Sequence, residues 1–298
     1  MILFMIRKIL LLSFLISGST LQAQDMLSQV EGKDSLNGKD FTVATFKTTR
    51  LINFHTLETV GRRTLDFRIS HRFGAINSGA DNAWGIDGPV NIRLGLEYSP
   101  DGRFMFGIGR TSIEKLIDGF LKYRLIRQTT DDQTPVSVTL FTGAYYTSQK
   151  NPLLTNGEKK FTYMSNRLAY NSQVMIGRKF SRSFSLQIGG WFSHYNLVDL
   201  ITDKNDAFGA SGIFRYKFTN RQAITFEYSH AFNDYSPANK YYDSMGVGYE
   251  IETGGHVFQV HLTNSFGLVE SQYFTHTDTQ WNDAGIRIGF NVSRVFWL

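Results

Sequence analysis

The sequence predicts an all-β protein: a single antiparallel transmembrane β-barrel of about 12 strands with an N-terminal periplasmic or plug segment. Three observations lead to this prediction. Apolar and polar residues alternate with a period of two in many segments, the connections between them alternate between long and short, and the chain ends in an aromatic strand. We expect a signal peptide (1–23), an N-terminal tail with a cap or plug segment (24–63) and an outer-membrane barrel (64–298).

The composition supports β structure and excludes several functional classes. The 298 residues include 25 Phe, 14 Tyr and 4 Trp, and flat rings pack well on the pleated surface of a sheet. There is no Cys, which excludes disulfide scaffolds, Cys-ligated zinc, Fe–S clusters and thiol catalysis. The formal net charge of +5 is small, so we predict no nucleic-acid partner.

The N-terminus has the pattern of a secretory signal. Arg7 and Lys8 precede a short apolar run, and small residues follow it up to Ala23. The apolar run is shorter than the ~20 residues that a transmembrane helix needs. No later segment is apolar over ~18 residues, so the rest of the chain is either soluble or crosses a bilayer as a closed barrel.

The alternation defines the predicted strands. In residues 65–73 (LDFRISHRF) every second residue is apolar or aromatic and the residues between are polar or charged. The same pattern recurs in 91–98, 184–193 and 286–293. With less regular segments included, strands are expected to begin near residues 64, 91, 103, 115, 135, 165, 183, 208, 222, 244, 256 and 283. An even number of strands is typical of bacterial single-chain barrels.

The connections distinguish a membrane barrel from a β-sandwich, which would also alternate. Outer-membrane barrels have short periplasmic turns and longer extracellular loops. The predicted long segments are 74–90, 147–164, 196–207, 233–243 and 266–282, and the tight ones are 100–102, 181–182, 219–221 and 253–255. Two connections do not fit this alternation: 111–114 is short on the long-loop side, and 127–134 is long on the short-turn side. An even count places both termini in the periplasm, and the last strand ends in aromatic residues after Arg294 interrupts its apolar row.

The residues before the barrel fall into two parts. Residues 24–40 are polar and are expected to form a flexible tail. Residues 42–58 (TVATFKTTRLINFHTLE) are predicted to be ordered, as a periplasmic cap, a partial lumen plug or an extra hairpin giving 14 strands. We favour the cap or plug, because one extra strand alone would break the even count.

Three segments also carry a family resemblance. TRLINFHTLET (49–59), LDFRISHRFG (65–74) and WNDAGIRIGFNVSRVF (281–296) resemble an uncharacterised family of Bacteroidota-type outer-membrane β-barrel proteins. The resemblance covers most of the chain after the predicted signal. It implies a barrel fold and a location in the outer membrane, and it supplies no catalytic residues.

If the apolar rows face lipid, the opposite rows fill the lumen. By strand parity the charged residues that line it are Asp66, Arg68, Arg72, Arg93, Glu97, Asp118, Lys122, Arg124, Arg167, Arg215, Lys217, Glu227, Glu250 and Arg287. Nine of them are basic and five are acidic. Buried charges of both signs must largely pair, which favours an ion-paired interior that holds the wall in shape. The alternative is a small polar pore with a weak anion preference, narrower than the 16–18-stranded porins.

The histidines raise the question of catalysis or metal binding. Ser precedes His in three dipeptides, Ser70-His71, Ser193-His194 and Ser229-His230. Neighbours in a strand point to opposite faces, so we expect these rings in an interfacial aromatic belt, and only cross-strand dyads stay open. The remaining histidines show no HxH or HExxH spacing. We predict no cofactor, with a weak metal site at His276 and Asp278 as the alternative.

These observations leave three classes of function. The favoured one is an integral outer-membrane barrel, without enzymatic activity, that forms a narrow pore or gives structural support. The alternatives are an interaction scaffold that uses the long loops, and an outer-membrane hydrolase. The expected partners are outer-membrane lipid, the barrel-assembly machinery and small polar or anionic solutes.

Overall fold

The computed structural model describes residues 35–36, 39–154 and 157–298. The predicted signal peptide (1–23) and most of the predicted tail (24–40) lie outside the described residues. Regular structure in the described ranges is almost entirely β-strand, with one short α-helix, α1 (Glu270–Tyr273). None of the helices in these ranges has the length and apolar character to cross a bilayer.

Twelve antiparallel strands form one closed barrel. Each pairs with its neighbours in sequence, and the last strand pairs with the first, so that Ile69 lies opposite Val292. Two short strands, β1 (Ser35–Leu36) and β2 (Lys39–Asp40), pair with each other in a separate sheet. The barrel strands are β3 (Thr64–Ala75), β4 (Asn91–Ser99), β5 (Phe104–Thr111), β6 (Leu116–Ile126), β7 (Ser137–Thr147), β8 (Leu168–Lys179), β9 (Phe184–Tyr195), β10 (Asp206–Lys217), β11 (Gln222–Ala231), β12 (Met245–Thr253), β13 (His256–Thr263) and β14 (Arg287–Trp297). The predicted fold class is confirmed, with 12 strands instead of 14.

The side chains of the barrel are distributed as a hydrocarbon environment requires. In β11 the side chain of Ile224 is 47% exposed on the outer face, whereas Glu227 is fully buried in the interior. Ile108 and Ile188 are 57% and 59% exposed. A soluble sandwich would bury the apolar row and expose the charged one. An outward apolar face with a polar interior is the arrangement of a transmembrane barrel.

The connections separate the barrel into a long-loop end and a short-turn end. At the short-turn end, β10 and β11 are joined by residues 218–221, and β12 and β13 by residues 254–255. At the long-loop end, the connections include 148–167, 232–244 and 264–286. The two exceptions expected from the sequence are present: residues 112–115 are a short connection at the long-loop end, and residues 127–136 are a longer one at the short-turn end.

The barrel interior is occupied by chain that enters from both ends. Residues 41–63, here called the inner segment, lead from the short-turn end to Thr64, where β3 begins. Most of its apolar side chains are buried, and several pack with α1 and with the wall in one cluster, which contains Phe46, Leu51, Phe54, Leu57, Trp191, Ala207, Ile213, Tyr273 and Phe274. Apolar clusters therefore lie inside the barrel beside the inward charged residues.

Candidate functional site

Polar side chains of the wall bind the backbone of the inner segment. The amide groups of Asn53 and Phe54 donate to Glu227 Oε2 at 3.0 and 3.1 Å. Arg72 Nη2 donates to the carbonyl of Ile52 at 2.6 Å. Most of the segment is neither helix nor strand, so its buried backbone groups need partners from elsewhere. The inward charged residues supply them.

These contacts come from many sides of the barrel. Lys122 Nζ of β6 donates to the carbonyl of Glu58 at 2.6 Å, and Thr139 Oγ1 of β7 donates to that of Leu57 at 2.8 Å. Asn291 Nδ2 of β14 donates to the carbonyl of Leu51 at 2.7 Å. With Arg72 on β3 and Glu227 on β11, the bonded strands are spread around the whole ring. The inner segment therefore lies across the interior and does not line one wall.

Glu270 is the point where the two ends of the interior meet. This fully buried residue belongs to α1, in the loop from the long-loop end. Its carboxylate accepts hydrogen bonds from Tyr145 and Tyr273 at 2.6 and 2.7 Å. Arg50 Nη1 and His55 Nε2 of the inner segment lie 3.0 and 3.3 Å from Glu270 Oε1. One carboxylate thus joins the wall, the inner segment and the outer loop.

The Arg50 guanidinium lies close to two carboxylates but makes no aligned hydrogen bond to a described residue. It lies 3.0 Å from Glu270 and 3.8 Å from Glu97. None of its three nitrogen atoms makes an aligned hydrogen bond to a described residue, although the side chain is 4% exposed. A buried cation in this state carries an uncompensated desolvation cost. This contact therefore rests on charge attraction and not on aligned hydrogen bonds.

The structure gives positions for all fourteen charged residues predicted from strand parity. All except Arg167 and Lys217 are buried, and these two are half-buried at the long-loop and short-turn ends. Some pair with each other: Arg93 with Asp118 at 2.6 Å, Arg215 with Glu250 at 2.7 Å and Arg68 with Asp66 at 3.3 Å. Others, such as Lys122 and Glu227, bind the inner segment instead. Their role in lining a passage stays a prediction.

The alternation pattern did not reveal the residues at the centre of the interior. Arg50 and His55 belong to a segment predicted to be ordered, but no periodicity indicates their partners. Tyr145 lies in the strand predicted to begin near residue 135, and nothing in the sequence marks it as a functional residue. Glu270 is a single charge after the uncharged residues 266–269 (FGLV). A lone carboxylate in such a setting is the one signal that could have indicated a buried, partnered group.

In each of the three Ser-His dipeptides, the Ser and His side chains point to opposite faces of the barrel wall. Ser70, Ser193 and Ser229 are buried in the interior, whereas His71, His194 and His230 lie on the outer side. His194 Nδ1 is 2.6 Å from Asp206, His230 Nδ1 is 2.9 Å from Asp243, and the His71 ring stacks on Phe290. Within the described ranges, no group of three or more His, Asp or Glu side chains is arranged to hold a metal ion.

Each end of the barrel has a cavity. At the long-loop end a cavity of about 260 Å³, here called the vestibule, is lined by several aromatic and charged side chains. Tyr145, Ser271 and Gln272 belong to its lining, so it reaches the residues next to Glu270. At the short-turn end a wider cavity of about 1290 Å³ is lined by residues 40–44, 178–183 and 217–220, among others. The inner segment and α1 lie between these two openings.

A family comparison agrees with this architecture. The family described as "Membrane bound beta barrel domain (DUF5777)" matches residues 46–296. The chain belongs to this family. The DUF5777 match begins within the inner segment, so it includes most of the buried part of that segment together with the barrel. The resemblance to a family of membrane β-barrels is therefore confirmed. No curated protein matches the chain.

Several solved structures are similar to this DUF5777 barrel at low sequence identity. The KdgM porin is 10% identical with a TM-score of 0.47, covering 78% of this chain and 99% of its own. The COG4313 outer membrane channel from Pseudomonas putida F1 is 13% identical with a TM-score of 0.48, covering 80% and 98%. The outer membrane phospholipase A from Escherichia coli is 10% identical with a TM-score of 0.43, covering 77% and 92%.

Proposed function

We propose that this membrane barrel is closed at rest by its inner segment and passes small polar or anionic solutes when that segment moves. The observation that carries the proposal is the contact between Arg50 of the inner segment and Glu270 of the outer loop, at 3.0 Å. It joins chain from the two ends of the barrel across the path that a solute would take. The inner segment is, on this proposal, a plug.

The way the inner segment is held supports its displacement. Many of its polar contacts are hydrogen bonds between wall side chains and its backbone, such as that of Lys122 to Glu58. Such bonds contribute about 0.5–1.5 kcal/mol each where the side chain is neutral and about 1.5–3 kcal/mol where it is charged, because water can replace either partner. The buried ion pair of Arg50 with Glu270 joins the inner segment to the outer loop, so its loss favours displacement. The apolar cluster around Phe54 opposes displacement and keeps the resting barrel closed.

The charge of the wall supports a preference for anions in the open state. Of the fourteen predicted lining residues, nine are basic and five are acidic. Displacement of the inner segment would free Arg72 and Lys122 from its carbonyl groups. An excess of positive charge in a narrow polar passage raises the local concentration of anions.

The proposed setting is the outer membrane of a bacterium of the Bacteroidota type, reached through a signal peptide at residues 1–23. Short turns and both termini would face the periplasm and the long loops the outside, as in other barrels of this class. The partners would be outer-membrane lipid and the barrel-assembly machinery. The proposal includes no enzymatic activity, and the opposite orientations of Ser193 and His194 support this.

A disulfide lock tests the proposed plug. An ideal Cβ built at Gly246 of β12 would lie 3.1 Å from Ile52 Cγ2, which is compatible with the ~3.5–4.5 Å between Cβ atoms of a disulfide. The chain has no Cys, so Ile52→Cys with Gly246→Cys creates one possible pair. The full chain and its variants are compared in planar bilayers, with each single Cys variant as a control.

We expect rare, small, anion-selective openings for the wild type and more frequent openings for Arg50→Gln. The oxidised cysteine pair should abolish openings, and a reductant should restore them. Conductance of the oxidised pair equal to that of the wild type would show that the inner segment is not the gate. Large cation-selective currents, or no openings in either the wild type or Arg50→Gln, would also overturn the proposal.

A further inference from the structure

Aromatic rings from two long loops and from the end of β9 converge in the vestibule. The rings of Tyr235 and Tyr241 stack with centroids 6.1 Å apart and an interplanar angle of 8°. The His276 ring meets Tyr241 edge-on at 5.1 Å and Tyr195 at 5.3 Å. The hydroxyl of Tyr195 donates to the carbonyl of Ser271 at 2.8 Å, and that of Tyr235 donates to the carbonyl of Thr275 at 2.6 Å. The rings are thus held in place before any ligand binds.

Four carboxylates share the lining of the vestibule with these rings, namely Glu114, Asp199, Asp203 and Asp278. Asp199 pairs with Lys160, and Asp278 lies 3.6 Å from Arg287. Glu114 and Asp203 form no ion pair within the part of the chain that the structure describes. Asp203 accepts a hydrogen bond from Ser236 at 2.8 Å, which orients its carboxylate. The Leu200 amide also donates to Asp203 at 3.1 Å, and Gln272 Nε2 donates to Glu114 at 3.5 Å. Both carboxylates thus have hydrogen-bond donors but no cationic partner among the described residues.

Arg167 of the lining is engaged by partners outside the aromatic cluster. It lies over the Phe161 ring at 4.4 Å and donates to the carbonyls of Thr147 and Gln149 at 3.0 and 2.9 Å. Burial raises the pKa of the Tyr241 hydroxyl, and the nearby carboxylates of Asp199, Asp203, Asp278 and Glu114 raise it further. These four carboxylates therefore lie close enough to act on the Tyr241 ring.

We propose that the vestibule binds a small organic cation, an ammonium or quaternary ammonium, against the rings of Tyr195, Tyr235, Tyr241 and His276, with Glu114 and Asp203 as counter-charges. Aromatic faces attract cations through their quadrupole, and desolvation strengthens this attraction. The volume of about 260 Å³ suits a ligand with few heavy atoms. This site goes beyond the proposed function, since it needs neither opening of the barrel nor a transported solute.

Choline chloride is a suitable probe, and 3,3-dimethylbutan-1-ol is its neutral counterpart of similar shape. Binding to the full chain in detergent is measured by isothermal titration at constant ionic strength. We expect saturable binding of choline and none of the alcohol. Tyr241→Leu and Asp203→Asn should each weaken binding by roughly 3- to 30-fold, the effect of ~0.5–2 kcal/mol. Tyr163→Leu and Asp81→Asn, which change exposed residues outside the vestibule, should leave it unchanged.

Tyr241→Phe separates loss of binding from loss of folding. It keeps the ring and removes the hydroxyl, so it should bind choline within about 2-fold of the wild type, as expected for a cation–π contact. Folding of each variant is checked by its migration on unheated gels. Equal binding of the alcohol and choline, or unchanged binding in folded Tyr241→Leu and Asp203→Asn, would overturn the proposal. Non-saturable choline heats in the wild type would do the same. None of these results depends on bilayer conductance, so failure here leaves the proposed plug standing.

Discussion

Arg93 of β4 donates two hydrogen bonds to Asp118 of β6, from Nε at 3.0 Å and from Nη2 at 2.6 Å, in the buried interior of the barrel. The pair spans β5, which lies between the two strands. A bidentate arginine–carboxylate pair is among the strongest polar contacts in a protein, because both groups are charged and planar. It fixes the spacing of three consecutive strands from the inside.

Removing one partner of this pair should destabilise the barrel more than removing both. Asp118→Leu leaves the Arg93 guanidinium buried without its carboxylate, at a cost of about 3–5 kcal/mol. Arg93→Leu with Asp118→Leu replaces the pair with apolar side chains, and part of the stability should return. Unfolding in urea, followed in detergent or lipid, measures both. A double variant no more stable than Asp118→Leu would contradict this explanation.

A glycine of β5 makes room for the same guanidinium. An ideal Cβ at Gly109 would lie 2.3 Å from Arg93 Nη2, whereas one at Gly119 of β6 would meet nothing within 4 Å. We expect Gly109→Ala to displace the guanidinium and to cost about 1–3 kcal/mol, the range for overpacked sites. Gly119→Ala is the matched control and should be close to neutral. The temperature at which each variant loses its folded band on gels gives the comparison, and equal shifts would count against the close contact.

The outward apolar row should not accept a charge. Ile188 is 59% exposed in β9 and Ile201 is fully exposed in the 196–205 loop. Ile188→Arg places a cation in hydrocarbon, which costs about 2–4 kcal/mol near the bilayer midplane. Ile201→Arg makes the same substitution outside the membrane and should insert normally. The fraction of folded barrel recovered in liposomes is the measurement, and equal yields would argue against a lipid-facing Ile188.

A comparison of substitutions on the outer face with substitutions at neighbouring inward residues tests both faces of the wall. We expect Ile69→Arg, in the middle of β3, to reduce insertion by a similar ~2–4 kcal/mol, and Ile288→Arg, near the long-loop end of β14, to reduce it by less. Arg68→Ser and Arg287→Ser change their inward neighbours and should still insert. Folding yield in liposomes is again the readout. Equal losses in both rows would mean that the two faces are not distinguished by lipid.

Labelling of single cysteines tests the proposed orientation. The native chain has no Cys, so Ile201→Cys at the long-loop end and Asn220→Cys at the short-turn end each carry one thiol. In intact cells a membrane-impermeant maleimide should label Ile201→Cys and leave Asn220→Cys unmodified. Both should react after lysis, which controls for access. Labelling of Asn220→Cys alone in intact cells would reverse the orientation.

The wall of the barrel was predictable because its signal is local. Alternation of apolar and charged residues in 65–73 reports directly which face of β3 meets lipid. The largest errors in strand starts have local causes. The strand expected from residue 283 begins at Arg287, because a 3-10 turn (Trp281–Asp283) and Ala284 with φ 52° precede it. The strand expected from 165 begins at Leu168, after a turn in which the Asn166 side chain accepts from the Tyr163 amide.

The centre of the interior was not predictable because its contacts join distant parts of the chain. Asn53 and Glu227 are 174 residues apart and share a hydrogen bond. The inner segment has no regular repeat, so strand parity does not apply to it. The vestibule rings likewise come from the end of β9 and from two different loops, and their spacing in sequence does not show that they lie close together. A single sequence shows which residue types are present for such a site, but it does not show that they lie close together in the fold.

The pairing of β14 with β3 has a consequence for biogenesis. The wall seals only when the final strand has been synthesised, since its partner is the first one. Until then the two edge strands carry backbone N–H and C=O groups that cannot form hydrogen bonds with hydrocarbon. The inner segment is bonded by Arg72 of β3 and by Asn291 of β14, so its set of wall partners is complete only when these two strands have met. Barrel closure therefore completes the binding site of the inner segment.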